Sequence, residues 1–218
     1  MQKKFVKIVL LVAMFAIPTM ASSQIYTKLN LLYACAGVIN PQLEFTVGPH
    51  SAIVIDPTYS PWQNIKGKHL HFGILQTEYR FYIKPEARGF YVSAHAGTQL
   101  FDLTRPYFFQ NGKFLSWESG FGRGFGVMVG LGIGYTHTFK ERWVVDAYFA
   151  FDRMWSWYND YYANGQINMY PGHQKEPLYP DPFNGSAEWL PSKIGVAIGY
   201  KIFDPTKPRK APKQRRQQ

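Results

Sequence analysis

Two pairs of side chains lie at spacings that could support chemistry, and the first is Ser93 with His95. Residues two apart share one face of a β-strand, and a serine hydroxyl beside a histidine base is an arrangement that acyl-transfer enzymes use. An acidic residue would have to orient the histidine, and no nucleophile-elbow sequence surrounds Ser93. We therefore assign no catalytic residue, and a lipid-modifying hydrolase stays open as an alternative function.

The second pair is His69 and His71, which could offer two imidazole ligands from one face of a strand. A zinc site needs three or four protein ligands, and neither a third histidine nor a cysteine is near in sequence. The single cysteine, Cys35, also excludes an intramolecular disulfide. The sequence therefore predicts no metal site and no cofactor.

Most of the chain after the first two dozen residues alternates apolar side chains with small or polar ones, which is the period of a β-strand. In the clearest segment, apolar residues such as Phe125 and Leu131 share one face while glycines occupy most of the other. The same pattern predicts eight strands: Lys28–Tyr33, Gln42–Val47, Ala52–Tyr59, Leu75–Ile83, Phe90–Leu100, Gly124–Phe139, Trp143–Phe151 and Lys193–Ile202.

Such a sheet can close with its apolar face inward, as a soluble barrel, or outward, as a membrane barrel. The other face decides between the two, and here it combines glycines with charges of both signs. Small residues and opposite charges suit a narrow lumen, whereas a surface facing water would carry larger polar side chains. We therefore predict an all-β fold, a closed antiparallel up-and-down transmembrane β-barrel of about eight strands in the outer membrane of a Gram-negative cell. A soluble exported barrel that binds an apolar ligand stays open as an alternative.

The polar residues of the predicted inner face form a candidate lumen network. Because isolated charges in a narrow interior are costly, we expect them to pair with one another and plug the lumen. A gate or narrow ion path is the alternative. The members of the predicted network are Lys28, Asn30, Glu44, Gln76, Glu78, Arg80, Asp146, Lys193 and Lys201.

Connection lengths support the barrel. Three predicted connections are short, at residues 48–51, 85–88 and 140–142, and three are long, at 60–68, 101–123 and 156–188. Short turns at one end and long loops at the other are typical of an outer-membrane barrel. At the end with the long loops, one connection departs from this rule, because the first one, around 37–41, is expected to be short.

The last long connection is rich in aromatic residues, and we identify it as a possible surface-binding site. Aromatic side chains beside amides suit stacking on sugar rings or contact with a partner protein. The alternative is that part of the stretch extends the preceding strand and part packs on itself. The candidate residues are Trp155, Trp157, Tyr158, Tyr161, Tyr162 and Tyr170.

The two ends of the chain differ from the middle. Residues 1–23 resemble a signal peptide, because Lys3, Lys4 and Lys7 precede an apolar run that is broken by Pro18. Residues 204–218 are predicted to be a disordered basic periplasmic tail. The first segment carries three and the tail five of the ten net positive charges, so the barrel segment 24–203 has a net charge of only +2. This distribution argues against nucleic-acid binding. The expected partners are outer-membrane lipids and, through the outer loops, surface glycans or a protein; we expect a monomer.

Three stretches of the predicted strands, residues 26–33, 76–82 and 193–200, resemble the family catalogued as domain of unknown function 3575. The resemblance covers roughly Ile25 to Phe203. It implies a small outer-membrane barrel related in architecture to the OmpA and OmpX transmembrane barrels. It brings no catalytic residues, since the activity of the family is undefined. The expected function is a structural or surface binding and adhesion role through the extracellular loops.

Overall fold

The structure, a computed structural model, describes residues 24–85, 87–110, 112–117, 119–167 and 184–205, with the backbone alone for 107–110 and 184–188. The predicted signal peptide, Tyr170 and nearly all of the predicted tail lie outside these residues. The elements are β1 (Ile25–Asn30), α1 (Leu31–Cys35), β2 (Pro41–Thr46), β3 (Ser51–Ile65), β4 (Lys68–Lys84), β5 (Arg88–Leu103), β6 (Pro106–Gln110), β7 (Lys113–Trp117), β8 (Phe121–Phe139), β9 (Trp143–Tyr161) and β10 (Asn184–Phe203).

Eight of the strands form one antiparallel sheet that closes on itself, in the order β1-β10-β9-β8-β5-β4-β3-β2. β6 and β7 form a separate hairpin between β5 and β8. The all-β prediction with eight antiparallel strands is therefore confirmed, and each predicted strand overlaps one strand of the ring.

The pairing register fixes the slope of the strands. A path across the sheet from Arg153 returns to β9 at Trp143, ten residues earlier, after passing Val129, Ala96, Thr77, Ile55, Leu43, Thr27 and Tyr200. Ten residues at about 3.3 Å, divided by eight strand spacings of about 4.8 Å, give a tilt of about 40° to the barrel axis. This tilt is within the usual range for closed barrels.

The first strand ends earlier than predicted. Residues Leu31–Cys35 form a short helix instead of continuing β1. Asn30 caps it, because its Oδ1 accepts hydrogen bonds from the backbone N–H groups of Leu32 at 3.0 Å and Tyr33 at 3.4 Å. In the described part of the chain, no helix has the length and apolar character needed to cross a membrane.

The long connections are shorter than predicted because the strands continue into them. Residues 60–68 were expected to be a loop, but β3 and β4 run on to a two-residue turn at Lys66 and Gly67, with φ values of 52° and 77°. Two consecutive residues with positive φ are typical of tight hairpin turns. β9 likewise extends to Tyr161, and β10 begins at Asn184.

The barrel is therefore uneven in height. β1 and β2 have six residues each, whereas β10 has 20. β2 pairs only with Ala52 to Ile55 of β3, so the upper part of β3 has a free edge apart from one bridge between Tyr59 and Ile39. We call the projecting sheet the part of β3, β4, β5, β8, β9 and β10 that extends beyond the level of the Leu43–Ile55 pair, away from the short turns.

The two faces of the sheet are inverted relative to a water-soluble protein. Charged residues facing inward are buried, with Arg80 and Asp146 both 0% exposed. Apolar residues facing outward are exposed, with Leu131 at 70% and Ile133 at 62%. Inward glycines of β8 leave room for these buried groups. An added Cβ at Gly130 would collide with the Asp152 carboxylate and the Phe151 carbonyl.

Gly130→Ala should therefore destabilise the barrel by about 1–3 kcal/mol, the usual cost of overpacking an interior. Gly73→Ala is the matched control, since a Cβ at Gly73 meets nothing within 4 Å. Urea unfolding followed by tryptophan fluorescence measures both. Equal stability of the two variants would contradict a tightly filled interior at Gly130.

Candidate functional site

The centre of the lumen is occupied by Arg80 of β4. Its Nη1 donates to Glu44 Oε2 of β2 at 2.9 Å and to Asp146 Oδ2 of β9 at 2.5 Å, and its Nε donates to Glu78 Oε1 at 2.9 Å. The guanidinium also lies 4.5 Å from the ring centroid of Tyr91. One side chain thus joins carboxylates from three strands across the interior.

Lys28 of β1 binds two of the same carboxylates. Its Nζ lies 2.7 Å from Glu44 Oε2 and 2.8 Å from Asp146 Oδ2. The Tyr91 hydroxyl donates to Asp146 Oδ1 at 3.0 Å, and the Thr136 hydroxyl donates to the same oxygen at 3.2 Å. These contacts of Arg80 and Lys28 form the first layer of the network, which combines two cations with hydroxyl groups that complete the hydrogen bonding of the carboxylates.

A second layer surrounds Lys193 of β10. Its Nζ forms an ion pair with Glu78 at 2.7 Å and another with Asp56. Asp56 also accepts hydrogen bonds from Asn40 and, at 3.2 Å, from Gln42 Nε2. Glu78 links this layer to Arg80, so the two layers form one continuous network.

A third layer contains the predicted Ser93 and His95 pair. His95 Nε2 contacts Asp152 of β9, and Gln76 Nε2 donates to the same carboxylate at 3.3 Å. The structure thus supplies the acid that the sequence pair lacked. However, His95 Nδ1 is buried without a hydrogen-bond partner among the described residues, and Ser93 is only 6% exposed and faces the interior. This placement favours packing over attack on a lipid at the outer surface.

The charges of the first two layers nearly balance. Three cations, Lys28, Arg80 and Lys193, face four carboxylates, Glu44, Asp56, Glu78 and Asp146. Removing one of the three cations would leave buried carboxylates with fewer counter-ions, and breaking buried ion pairs in this way costs several kcal/mol in protein interiors. The arrangement fills the centre of the barrel with mutually dependent side chains.

The structure brings together most of the predicted lumen residues, with one exception. Lys201 is buried, but its Nζ pairs with Asp204 at 3.2 Å at the end of β10, away from the central network. Asn30 and Gln76 face the interior through hydrogen bonds to Ile194 O at 3.3 Å and to Asp152. Sequence reasoning missed Asp56, although it lies at the same alternation as Ala52 and Val54, because these two inward residues that precede it are apolar.

The short helix α1 packs against β10, the strand that carries Lys193. Burial and the charge of Asp56 raise the pKa of the Tyr33 hydroxyl, while Lys193 lowers it.

The predicted aromatic site is not a single loop. Trp155, Trp157, Tyr158 and Tyr161 lie on β9, which corrects their expected position in a connection. They also diverge: Tyr158 packs near Phe101, with its hydroxyl accepting from Arg105 at 3.3 Å, whereas Trp157 stacks on Phe125 of the neighbouring strand. The strand-extension alternative thus describes these four residues. Tyr162, just after β9, is 48% exposed.

The two histidines of the His69 and His71 pair have separate partners. The His69 ring stacks on Phe121, with centroids 3.9 Å apart, and its Nδ1 lies 2.9 Å from Asp102. His71 Nε2 lies 3.3 Å from the Tyr59 hydroxyl. Across the residues that the structure describes, no group of three or more His, Cys, Asp or Glu side chains could hold a metal ion.

Fold and site together define an eight-stranded antiparallel barrel whose interior contains an ion-paired network and whose exterior is apolar. The chain belongs to the family described as Protein of unknown function (DUF3575), whose model matches residues 8–202. The family prediction is therefore confirmed, while the relation to OmpA and OmpX stays a prediction. No curated protein and no solved structure matches the chain.

Arg80→Met should lower the free energy of unfolding by about 3–5 kcal/mol, because Glu44, Glu78 and Asp146 lose their shared cation. The control is Arg142→Met, which removes an exposed arginine and should change stability by less than about 0.5 kcal/mol. Urea unfolding again provides the measurement.

A second substitution separates charge from packing. Adding Glu78→Gln to Arg80→Met should recover part of the loss, because it removes one of the carboxylates left without Arg80. Purely additive destabilisation in the double variant would count against the ion-pair interpretation.

Proposed function

We propose that this chain is an outer-membrane β-barrel with a plugged lumen, and that its role is structural or surface binding. The observation that carries the proposal is the inversion of the sheet faces, with the ion pairs buried inside and large apolar side chains exposed outside. In water such a surface would be a strong aggregation hazard. In a bilayer it is the favourable arrangement, since lipid tails cover the apolar face.

The height of the apolar band supports a membrane location. The outward residues of β5 from Phe90 to Leu100 are uncharged, with Arg88 below them and Asp102 above. Ten residues at about 3.3 Å, tilted by about 40°, span about 25 Å along the barrel axis. This is close to the apolar height of outer-membrane barrels. On β9, the outward residues from Trp143 to Phe151 are also uncharged.

Aromatic residues lie at both margins of this band. Trp143 is the first residue of β9, just above the turn at 140–142, and Trp155 and Trp189 lie near the upper margin. Tryptophan is enriched at membrane–water interfaces because its ring is apolar and its N–H is polar. Their position supports insertion with the short turns at one surface and the projecting sheet at the other.

The network favours a closed lumen over a channel. Eight strands enclose an interior just wide enough for side chains, and here Arg80 and Lys193 contact carboxylates on several walls of the barrel. Because the lumen is closed in this proposal, the role of the protein is placed outside the lumen. The projecting sheet, with the hairpin β6–β7, supplies the surface that could contact glycans or a protein.

Export is the remaining part of the proposal. The basic, apolar and proline-containing segment 1–23 supports secretion with cleavage after Ser23. With both ends of the ring on the side of the short turns, as the pairing of Ile25 with Phe203 indicates, the projecting sheet would face outward.

Heat-modifiability tests the proposal directly. Protein extracted with detergent from the outer-membrane fraction should migrate differently on a denaturing gel before and after boiling, because a closed barrel resists the detergent until it is heated. Recovery from the soluble periplasm, without a shift, would favour the alternative of a soluble exported barrel.

Leu131→Arg tests the environment of the band. In lipid it should cost about 2–4 kcal/mol, whereas on a surface facing water an arginine at this site, 70% exposed, should cost little. Phe114→Arg is the matched control, because Phe114 is 68% exposed but lies on the hairpin strand β7. Refolding into lipid vesicles at graded urea measures both, and equal effects would argue against lipid contact at Leu131.

A further inference from the structure

Arg153 is an outward residue of β9 with an unusual environment. Its guanidinium carbon lies 6.0 Å from the ring centroid of Trp155 and 5.9 Å from that of Trp189. Trp189 is its direct cross-strand partner on β10, and Trp155 follows two residues along β9. Phe151 stacks on Trp189 with centroids 6.1 Å apart. The cation therefore lies between aromatic rings on the outer surface.

This cation has no counter-ion among the side chains that the structure describes, and its interactions are the two ring contacts. Its cross-strand neighbour on the other side is Val129. The contrast with Arg123, an outward residue of β8, is clear, because Arg123 pairs with Asp102 at 2.6 Å. An apolar and aromatic environment alone does not neutralise an arginine, so an external anion is expected.

The position of Arg153 identifies the anion. It is the first charged outward residue above the apolar residues Trp143 to Phe151 of β9. If that band lies in hydrocarbon, Arg153 is at its upper margin, within reach of the lipid headgroups, where the abundant anion is phosphate. Arginine matches phosphate well, because its planar guanidinium can donate two parallel hydrogen bonds.

We propose that Arg153, Trp155 and Trp189 form a binding site for the phosphate group of an anionic membrane lipid. The inference rests on the proposed membrane location. The guanidinium binds the phosphate, while the tryptophan faces restrict its orientation and contribute cation–π attraction. Below it, Phe151 and Val129 offer an apolar surface along which an acyl chain packs.

The test measures lipid retention by native mass spectrometry of the detergent-purified, full-length barrel titrated with phosphatidic acid. Arg153→Gln should raise the apparent dissociation constant about tenfold, as expected for the loss of a charge-assisted hydrogen bond. Arg123→Gln, which removes an outward arginine that already has a carboxylate partner, should leave it unchanged. Diacylglycerol, which has the same acyl chains but no phosphate, should bind wild type and Arg153→Gln equally.

Two results would overturn the inference. Equal affinity of wild type and Arg153→Gln for phosphatidic acid would remove Arg153 from lipid binding. Competition by inorganic phosphate at the same concentration as the lipid would show a site for the free anion instead. Heat-modifiability of each variant is measured in parallel. A wild-type protein that fails to insert into vesicles contradicts the proposed function, whereas normal insertion with unchanged lipid affinity contradicts only the lipid site.

Discussion

The arrangement of the whole barrel depends on the ion pairs of Arg80. This side chain joins carboxylates of β2, β4 and β9, three strands that are not neighbours in the ring. A slip of one residue in any of these strands would turn its charged group to the outer surface, because side chains alternate between faces. The buried charges therefore help to specify the register of these three strands. The hydroxyl groups of Tyr82 and Tyr91 add to this specificity, since they reach the same carboxylates from β4 and β5.

The network also explains the composition of the wall around it. Large polar side chains from β1, β2, β4 and β10 extend across the interior, and the facing strand β8 contributes mostly glycines. Interior volume is thus shared unequally between strands. The outer face carries the large apolar residues, so the same alternation serves both surfaces of a single layer.

The alternation of apolar and small residues was enough to predict eight strands and most of the lumen network, because each strand has one face with a uniform environment. The alternation does not predict the strands that continue above the apolar band. There, β3, β4 and β9 continue as strands although neither face is consistently apolar, so residues 60–68 and 156–161 looked like connections. Lys201 has the correct inward parity, but parity cannot tell how far along the axis a charge lies. Asn30 has a second role as a helix cap, and this role depends on where β1 ends, which alternation alone does not determine.

The free edge of β3 has a consequence for neighbouring molecules. The Tyr59 N–H points away from β4 and donates to Ile39 O at 2.8 Å, so the backbone nitrogens of Pro57 and Pro61, two residues to either side, face the same way. Proline has no N–H, and the Pro57 carbonyl oxygen already accepts a hydrogen bond from Asn40 Nδ2 at 3.0 Å, so a strand from another copy would find few backbone partners at these positions. An unpaired edge that could otherwise template intermolecular sheets is thereby made a poor partner.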